Sequence, residues 1–144
     1  SRPNDQSNSI SWLLWHMSRV VDTFMTTRFR EKPQLWISEG WHRKFGMADG
    51  PDDRGVGWTA AKVAAWTAPP RDVQIGYYQA VRAATREFLS SVTPAELEKT
   101  IVFPPSAEPR TVGSALGQMT WDAISHGGQI AYLRGFYLGM GWHR

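Results

Sequence analysis

Cysteine is absent from the 144-residue sequence. This absence excludes disulfide bonds, zinc sites that are built from thiolates, and cysteine nucleophiles. Any metal ion that the chain binds must therefore be held by the nitrogen and oxygen atoms of histidine and carboxylate side chains.

Long apolar runs are also absent. No stretch reaches the roughly 18 apolar residues that a transmembrane helix needs. The N-terminal segment "SRPNDQSNS" is polar and lacks the apolar centre of a signal peptide. We therefore expect a cytoplasmic protein without a membrane partner, folded as one domain over residues 1–144, which is long enough to bury a core.

Neither sign of charge dominates. Sixteen basic residues face thirteen acidic ones, and the basic residues are scattered, so we expect no nucleic-acid partner. The G-x-S-x-G turn of serine hydrolases, the phosphate loop and the dinucleotide fingerprint are all missing. These absences remove the commonest nucleophilic and nucleotide-dependent enzymes from consideration.

What the sequence does contain is helical periodicity. Apolar residues recur at intervals of three and four in the first third of the chain, which predicts an amphipathic helix over 10–30. The stripe consists of Ile10, Leu13, Leu14, Met17, Val20, Val21 and Phe24. On this pattern Trp12, His16 and Arg19 flank the buried stripe instead of occupying its centre.

The remaining segments complete an all-α class with three long helices, because no strand signal is strong. In chain order we predict an N-cap at Asn8 or Ser9, a long packed connection over 31–57, a short helix over 59–67, a long helix over 71–92, a short helix capped by Thr93, an irregular loop over 103–110, a last helix from Thr111 to about Gly139, and a tail that contains His143. Three long helices form an incomplete four-helix bundle. Either a first helix is missing from this sequence or a second subunit completes the packing.

Two adjacent glycines interrupt the last predicted helix. Gly127 and Gly128 each cost roughly 1 kcal/mol relative to alanine in a helix interior. We expect them to permit close packing against the first long helix.

The same helix carries a histidine and a carboxylate one turn apart. His126 falls on its apolar stripe, and Asp122 lies on the same side because positions i and i+4 are neighbours. With His16 from the first helix they can form a metal site that leaves positions open for water or substrate. Two alternatives stay open: His16 is a hydrogen-bonded core residue, and Asp122 with His126 is a structural ion pair.

Two segments, "NSISWLLWHMSRVVD" and "SHGGQIAYLRG", together resemble the DinB/YfiT-like superfamily of metal-dependent enzymes. The resemblance extends from Asn8 to about Trp142 and implies an up-down four-helix bundle whose first helix is absent here. It also implies that His16 and His126 are the first and last ligands of a divalent metal. Asp122 stands where the family usually has its middle histidine, and Gln129 matches a glutamine that supports the ligands or the fold.

The resemblance further implies a function. Members of the family often dimerise, and some transfer or isomerise substrates with low-molecular-weight thiols such as mycothiol or bacillithiol. We therefore expect a homodimeric enzyme that acts on a small molecule and uses zinc, nickel, manganese or iron to lower the pKa of a bound thiol or water. The alternative is a non-catalytic ligand-binding or dimerisation module whose metal site is altered or lost.

Five further side chains are candidates for the substrate pocket. Arg19 and Tyr132 are expected to orient an anionic substrate. Trp12, Trp15 and Trp41 are expected to form the walls of the pocket.

Overall fold

The computed structural model describes residues 1–102 and 107–140, and within them the chain is mainly helical. The elements are α1 (Ile10–Asp22), a π-helical segment (Thr23–Arg28), α2 (Leu35–Ser38), α3 (Trp41–Lys44), α4 (Ala60–Ala65), α5 (Arg71–Ser91), α6 (Pro94–Leu97), β1 (Thr100–Ile101), β2 (Arg110–Thr111) and α7 (Val112–Leu138). The all-α class is confirmed. Residues 103–106 of the predicted loop, and His143, lie outside the described residues.

The ends of the helices follow the predicted capping residues. The side chains of Ser9 and Thr111 accept backbone hydrogen bonds at the starts of α1 and α7. Thr93 and Glu96 form a capping box at α6. Gly139 ends α7 with a φ of 81°, a left-handed conformation that favours glycine.

Helix α1 lies between α5 and α7 and packs against both. One buried cluster, made largely of aromatic residues, lies towards the start of α1, and a second lies beside the π-helical segment. The first contains Trp12, Leu13, Trp15, Trp36, Phe45, Tyr77, Val81 and Leu133. The second contains Phe24, Met25, Phe88, Val112, Ala115 and Met119.

The predicted helix over 10–30 is interrupted at Asp22, after which the chain continues as the π-helical segment. Two threonine hydroxyls accompany the change: Thr23 donates to the carbonyl of Arg19 at 2.9 Å, and Thr26 donates to that of Asp22. Such side-chain bonds compete with the backbone ladder of an α-helix. Apolar spacing alone cannot distinguish the two geometries.

Trp12, His16 and Arg19 were predicted to flank the buried stripe, and this prediction was wrong, because all three are buried. The connection between α1 and α5 lies over that side of the helix and places Gly55 against Trp12 and Trp15. Several apolar residues of the predicted stripe are instead half-buried, namely Ile10, Leu14, Met17, Val20 and Val21.

A buried polar network joins this connection to α1 and α5. The Asp22 carboxylate, which is 0% exposed, accepts hydrogen bonds from the backbone N–H groups of Leu35 at 3.0 Å and Trp36 at 2.8 Å. It also accepts from the Tyr77 hydroxyl at 2.8 Å. Burial, followed by the negative charge of Asp22, raises the pKa of Tyr77 well above its ordinary value, so the hydroxyl remains a donor.

Two smaller features differ from expectation. Strands β1 and β2 form an antiparallel pair of two residues each, which is too short to show a period of two in the sequence. Gly127 and Gly128 do not mediate close packing: apart from nearby backbone of α7 itself, no described heavy atom lies within 4 Å of where a Cβ would stand. Nothing in the described structure explains these two glycines.

Among the residues that the structure describes, no helix combines the length and apolar character that crossing a membrane requires.

Candidate metal centre

The three residues predicted as metal ligands come together where α1 faces α7. His16 projects from α1, and Asp122 and His126 project from consecutive turns of α7. One ligand atom from each residue can be chosen so that all three lie within 4.8 Å of one another. The packing of α1 against α7 thus brings His16 to two residues that lie more than a hundred positions away in the sequence.

His16 is held in a defined orientation. Its side chain is buried, its ring stacks on Trp12 with a centroid distance of 5.1 Å and an interplanar angle of 6°, and its Nδ1 lies against the carbonyl oxygen of Arg54. Because a carbonyl only accepts hydrogen bonds, Nδ1 carries the proton and Nε2 keeps its lone pair. This is the usual way in which a protein prepares a histidine to bind a metal through Nε2.

His126 has its polar contacts within its own helix. Its Nδ1 lies 2.8 Å from Oε1 of Gln129, and its Nε2 lies 3.5 Å from Oδ1 of Asp122. Gln129 is thus a hydrogen-bond partner of His126. An ion pair between His126 and Asp122 would also show this 3.5 Å contact. The His16 ring, however, lies perpendicular to the His126 ring with a centroid distance of 4.9 Å and brings a third potential metal ligand to the same place.

The spacing of these groups fits a transition-metal ion. Two ligands that are each about 2.1 Å from a zinc ion lie about 3.4 Å apart at the tetrahedral angle. The His126 and Asp122 atoms already show this separation at 3.5 Å, and no two of the three ligand atoms need be more than 4.8 Å apart, so the widest gap closes with a shift of at most about 1.4 Å. Two neutral nitrogens and one carboxylate oxygen suit zinc, nickel, manganese or iron.

Comparison with known proteins identifies the family of the chain. The sequence profile of the DinB superfamily matches residues 1–130, which is most of the chain. This chain belongs to the DinB superfamily. A crystal structure of a conserved protein from Enterococcus faecalis is similar, with a TM-score of 0.83 and 26% sequence identity over 96% of this chain and 81% of that one. A comparison with curated proteins returns no match.

In this DinB-superfamily chain the electrostatic environment favours neutral His16. Burial, the largest cause, lowers the pKa of His16 below 6.5, and the nearby His126 lowers it further, whereas the Arg54 carbonyl opposes the shift. The imidazole therefore keeps a free lone pair at lower pH than an exposed histidine would. Metal binding requires that neutral form.

The same shift predicts a pH dependence of stability in the metal-free protein. Above about pH 6.5 His16 is neutral in both folded and unfolded chains, whereas at lower pH the unfolded chain binds the proton more readily. The free energy of unfolding is therefore expected to fall as the pH drops below 6.5 and through the lowered folded pKa. Urea unfolding at several pH values, with His16→Asn for comparison, measures this. An equal slope in both proteins would contradict the assignment.

Arg19 was expected to orient an anionic substrate, and the structure corrects this. Its side chain is 0% exposed, and its nitrogens donate to the carbonyls of Gly50, Pro51 and Asp53 and to the side chains of Gln34 and Tyr77. A guanidinium has five N–H groups, so this set of partners uses its donor capacity. Arg19 is part of the scaffold behind the site.

The aromatic candidates occupy different places. Trp12 contacts His16, and Trp15 is buried one layer behind it, against Trp12 and Trp58. Trp41 packs on Tyr77 of α5, on the other side of α1 from α7. None of these three tryptophans is among the described residues that line the cavity beside the candidate site.

Tyr132 is 72% exposed and lines a surface cavity of about 790 Å³ beside the metal centre. The cavity lies between the N-terminal segment and α7, and Ser125 and Gln129, on either side of His126, also line it. Its volume is in the range of small-molecule sites. Neither this cavity nor the Arg54 carbonyl could be predicted from the sequence. A cavity depends on how distant segments pack, and a backbone acceptor 38 residues from His16 has no signature in the sequence.

Proposed function

We propose that this chain is a divalent-metal-dependent enzyme of the thiol S-transferase or isomerase type that acts on a small molecule. One observation carries the proposal, namely the convergence of ligand atoms from His16, Asp122 and His126 within 4.8 Å. Membership of the DinB superfamily supports it. The Arg54 carbonyl adds support, because it holds the Nδ1–H of His16 and leaves Nε2 available as a ligand. Gln129, 2.8 Å from Nδ1 of His126, can accept from that histidine in the same way.

The residues of the chain would divide the work as follows. A bound divalent ion supplies Lewis acidity, which lowers the pKa of a thiol or water at the site. His16 and His126 donate neutral nitrogens, and Asp122 adds a single negative charge, so the site keeps a net positive charge that favours a thiolate. His16 closes the buried side, while Asp122 and His126 are partly exposed and leave access from solvent.

The substrate would lie in the neighbouring cavity. Gln129 connects the two, because it hydrogen-bonds His126 and also lines the cavity with Ser125 and Tyr132. The described lining consists of hydroxyl, amide, aromatic and aliphatic groups and contains no charged side chain. We therefore propose that the part of the substrate held there is uncharged, in contrast to the anionic substrate expected from Arg19.

A second candidate is a dimerisation module without catalysis, and one observation favours it. The outer face of α7 exposes large apolar side chains, including Trp121 at 68% and Ile124 at 70%. Exposed apolar surface of this kind often marks a protein interface. A homodimer is compatible with either function, so metal content is the property that separates them.

Native mass spectrometry tests both candidates in one measurement. We expect one metal ion per chain after incubation with zinc, nickel, manganese or iron, and loss of that ion in His16→Ala and His126→Ala. His42→Ala is the matched control, because His42 is held separately by the carbonyl of Trp36 at 2.9 Å and should not affect metal content. Metal-free dimers under every condition would overturn the enzyme and support the module. A metal-loaded protein would then be assayed for thiol transfer.

A further inference from the structure

We infer that Arg19 and Asp53 are positioning residues for the metal centre, acting through a loop that we call the strap, residues 50–58. The strap carries the Arg54 carbonyl, which receives the Nδ1–H of His16. The inference that this arrangement serves metal binding rests on the proposed function. The inference that the strap fixes the orientation of the His16 ring does not depend on the proposed function.

The strap needs external support because it contains no helix or strand, although the structure describes all nine of its residues. The orientation of the His16 ring therefore depends on an acceptor whose own position is not set by a backbone ladder. Two backbone hydrogen bonds of 3.3 Å, from Asp53 to Gly50 and from Trp58 to Gly55, close turns inside the strap. Side-chain hydrogen bonds supply the remaining support. Two residues provide most of those bonds.

Arg19 holds the strap from inside the fold. Its Nη2 donates to the carbonyls of Gly50 at 3.3 Å and Pro51 at 3.1 Å, and its Nε donates to that of Asp53 at 3.2 Å. The guanidinium is itself locked, because Nη1 donates to Gln34 at 2.7 Å and the group lies 4.6 Å from the centre of the Trp36 ring. Arg19 thus fixes the peptide immediately before Arg54.

Asp53 holds the strap from the other side. Its Oδ1 accepts from the backbone N–H of Gly55 at 3.2 Å and from Nε1 of Trp58 at 2.8 Å, and its Oδ2 accepts from Nζ of Lys62 at 3.3 Å. The backbone of Asp53 is bound to Arg19 while its side chain binds Gly55. Arg54, which lies between them, is therefore fixed on both sides.

Stability alone does not account for a buried arginine in this position. Desolvating a guanidinium is costly, and apolar residues of similar volume often replace buried charged groups without loss of stability. Arg19 provides hydrogen-bond donors for the carbonyls of the strap, which an apolar side chain could not do. The result of holding those carbonyls is a fixed acceptor at His16.

The test measures the histidine tautomers by ¹⁵N NMR in the metal-free protein, and the zinc affinity by competition with a chelator. Asp53→Ala and Arg19→Lys are expected to populate the Nε2–H tautomer of His16 and to weaken zinc binding about 10- to 100-fold, as loss of a supporting hydrogen bond typically does. Asp53→Asn keeps an Oδ1 acceptor and should retain wild-type behaviour. Asp49→Ala, which removes an exposed carboxylate just before the strap, is the charge control.

His126 serves as an internal reference, because its Nδ1 is held by Gln129 within α7 and not by the strap. A change at His16 alone supports positioning. Unchanged tautomers and affinity in both variants would overturn it, and so would an equal change at both histidines, which would indicate general loosening of the fold. If the wild type binds none of zinc, nickel, manganese and iron, the proposed function fails, but the tautomers still decide whether the strap positions His16.

Discussion

Asp22→Ala is expected to lower the free energy of unfolding by about 3–5 kcal/mol, the usual cost of removing one partner from a buried charged pair. The carboxylate lies 3.9 Å from the Arg19 guanidinium, and both side chains are fully buried. Without it, Arg19 loses its nearest opposite charge. The Tyr77 hydroxyl and two backbone N–H groups at the start of α2 also lose their acceptor.

Urea unfolding monitored by circular dichroism measures this loss. Asp49→Ala, at an exposed carboxylate in the same connection, should change stability by no more than about 0.5 kcal/mol. Asp22→Asn should lie between the two, since it removes the charge but keeps an oxygen acceptor. A loss below about 1 kcal/mol for Asp22→Ala would show that water replaces the carboxylate and that the network is not tightly buried.

Gly55→Ala is expected to destabilise the protein by about 2–5 kcal/mol, from overpacking and from an unfavourable backbone conformation together. Gly55 has a φ of +85°, and a Cβ there would lie 2.6 Å from Cζ2 of Trp12 and 2.9 Å from Cζ3 of Trp15. Neither ring can move easily, because Trp12 is stacked on His16 and Trp15 is 1% exposed. The substitution should therefore lift the strap away from α1.

Gly57→Ala is a matched control within the same loop. Gly57 also has a positive φ, +75°, but a Cβ at this position would meet no described atom within 4 Å, its chain neighbours aside. It should therefore cost only the conformational part, about 1–2 kcal/mol. Near-ultraviolet circular dichroism would report whether the tryptophan packing changes in Gly55→Ala alone. Equal costs for the two substitutions would refute the steric explanation.

Much of the fold could be predicted because its signals are local. The bounds of α5 and α7 follow from apolar spacing, and Ser9, Thr93 and Thr111 begin helices because short polar side chains cap nearby N–H groups. His126 and Asp122 could be paired for the same reason, since one turn separates them. His16 joined them only through the resemblance to a family and the assumption that two helices face each other.

The position of Arg19 could not be predicted, because it depends on a non-local contact. Periodicity identifies the apolar side of a helix, but it does not show where a long connection returns to cover a polar side. Here that connection offers Arg19 three backbone carbonyls and the Gln34 side chain, and so makes its burial possible. The glycines at 127 and 128 illustrate the converse, since a sequence signal for close packing has no packing partner in the described structure.

The hydrogen bond between His16 and Arg54 has one more consequence, because it belongs to the metal centre and to the strap at once. Thermodynamic linkage is reciprocal. If docking of the strap strengthens ion binding by a given free energy, then a bound ion stabilises the docked strap by the same free energy. A path of contacts runs from His16 to the Arg54 carbonyl, along the backbone to the Asp53 carbonyl, and through Arg19 to Tyr77. It thereby reaches α5, which contributes none of the three candidate ligands. Gain or loss of an ion between α1 and α7 would then be sensed across the molecule, as slower or faster amide hydrogen exchange in residues 50–58 and at the start of α2.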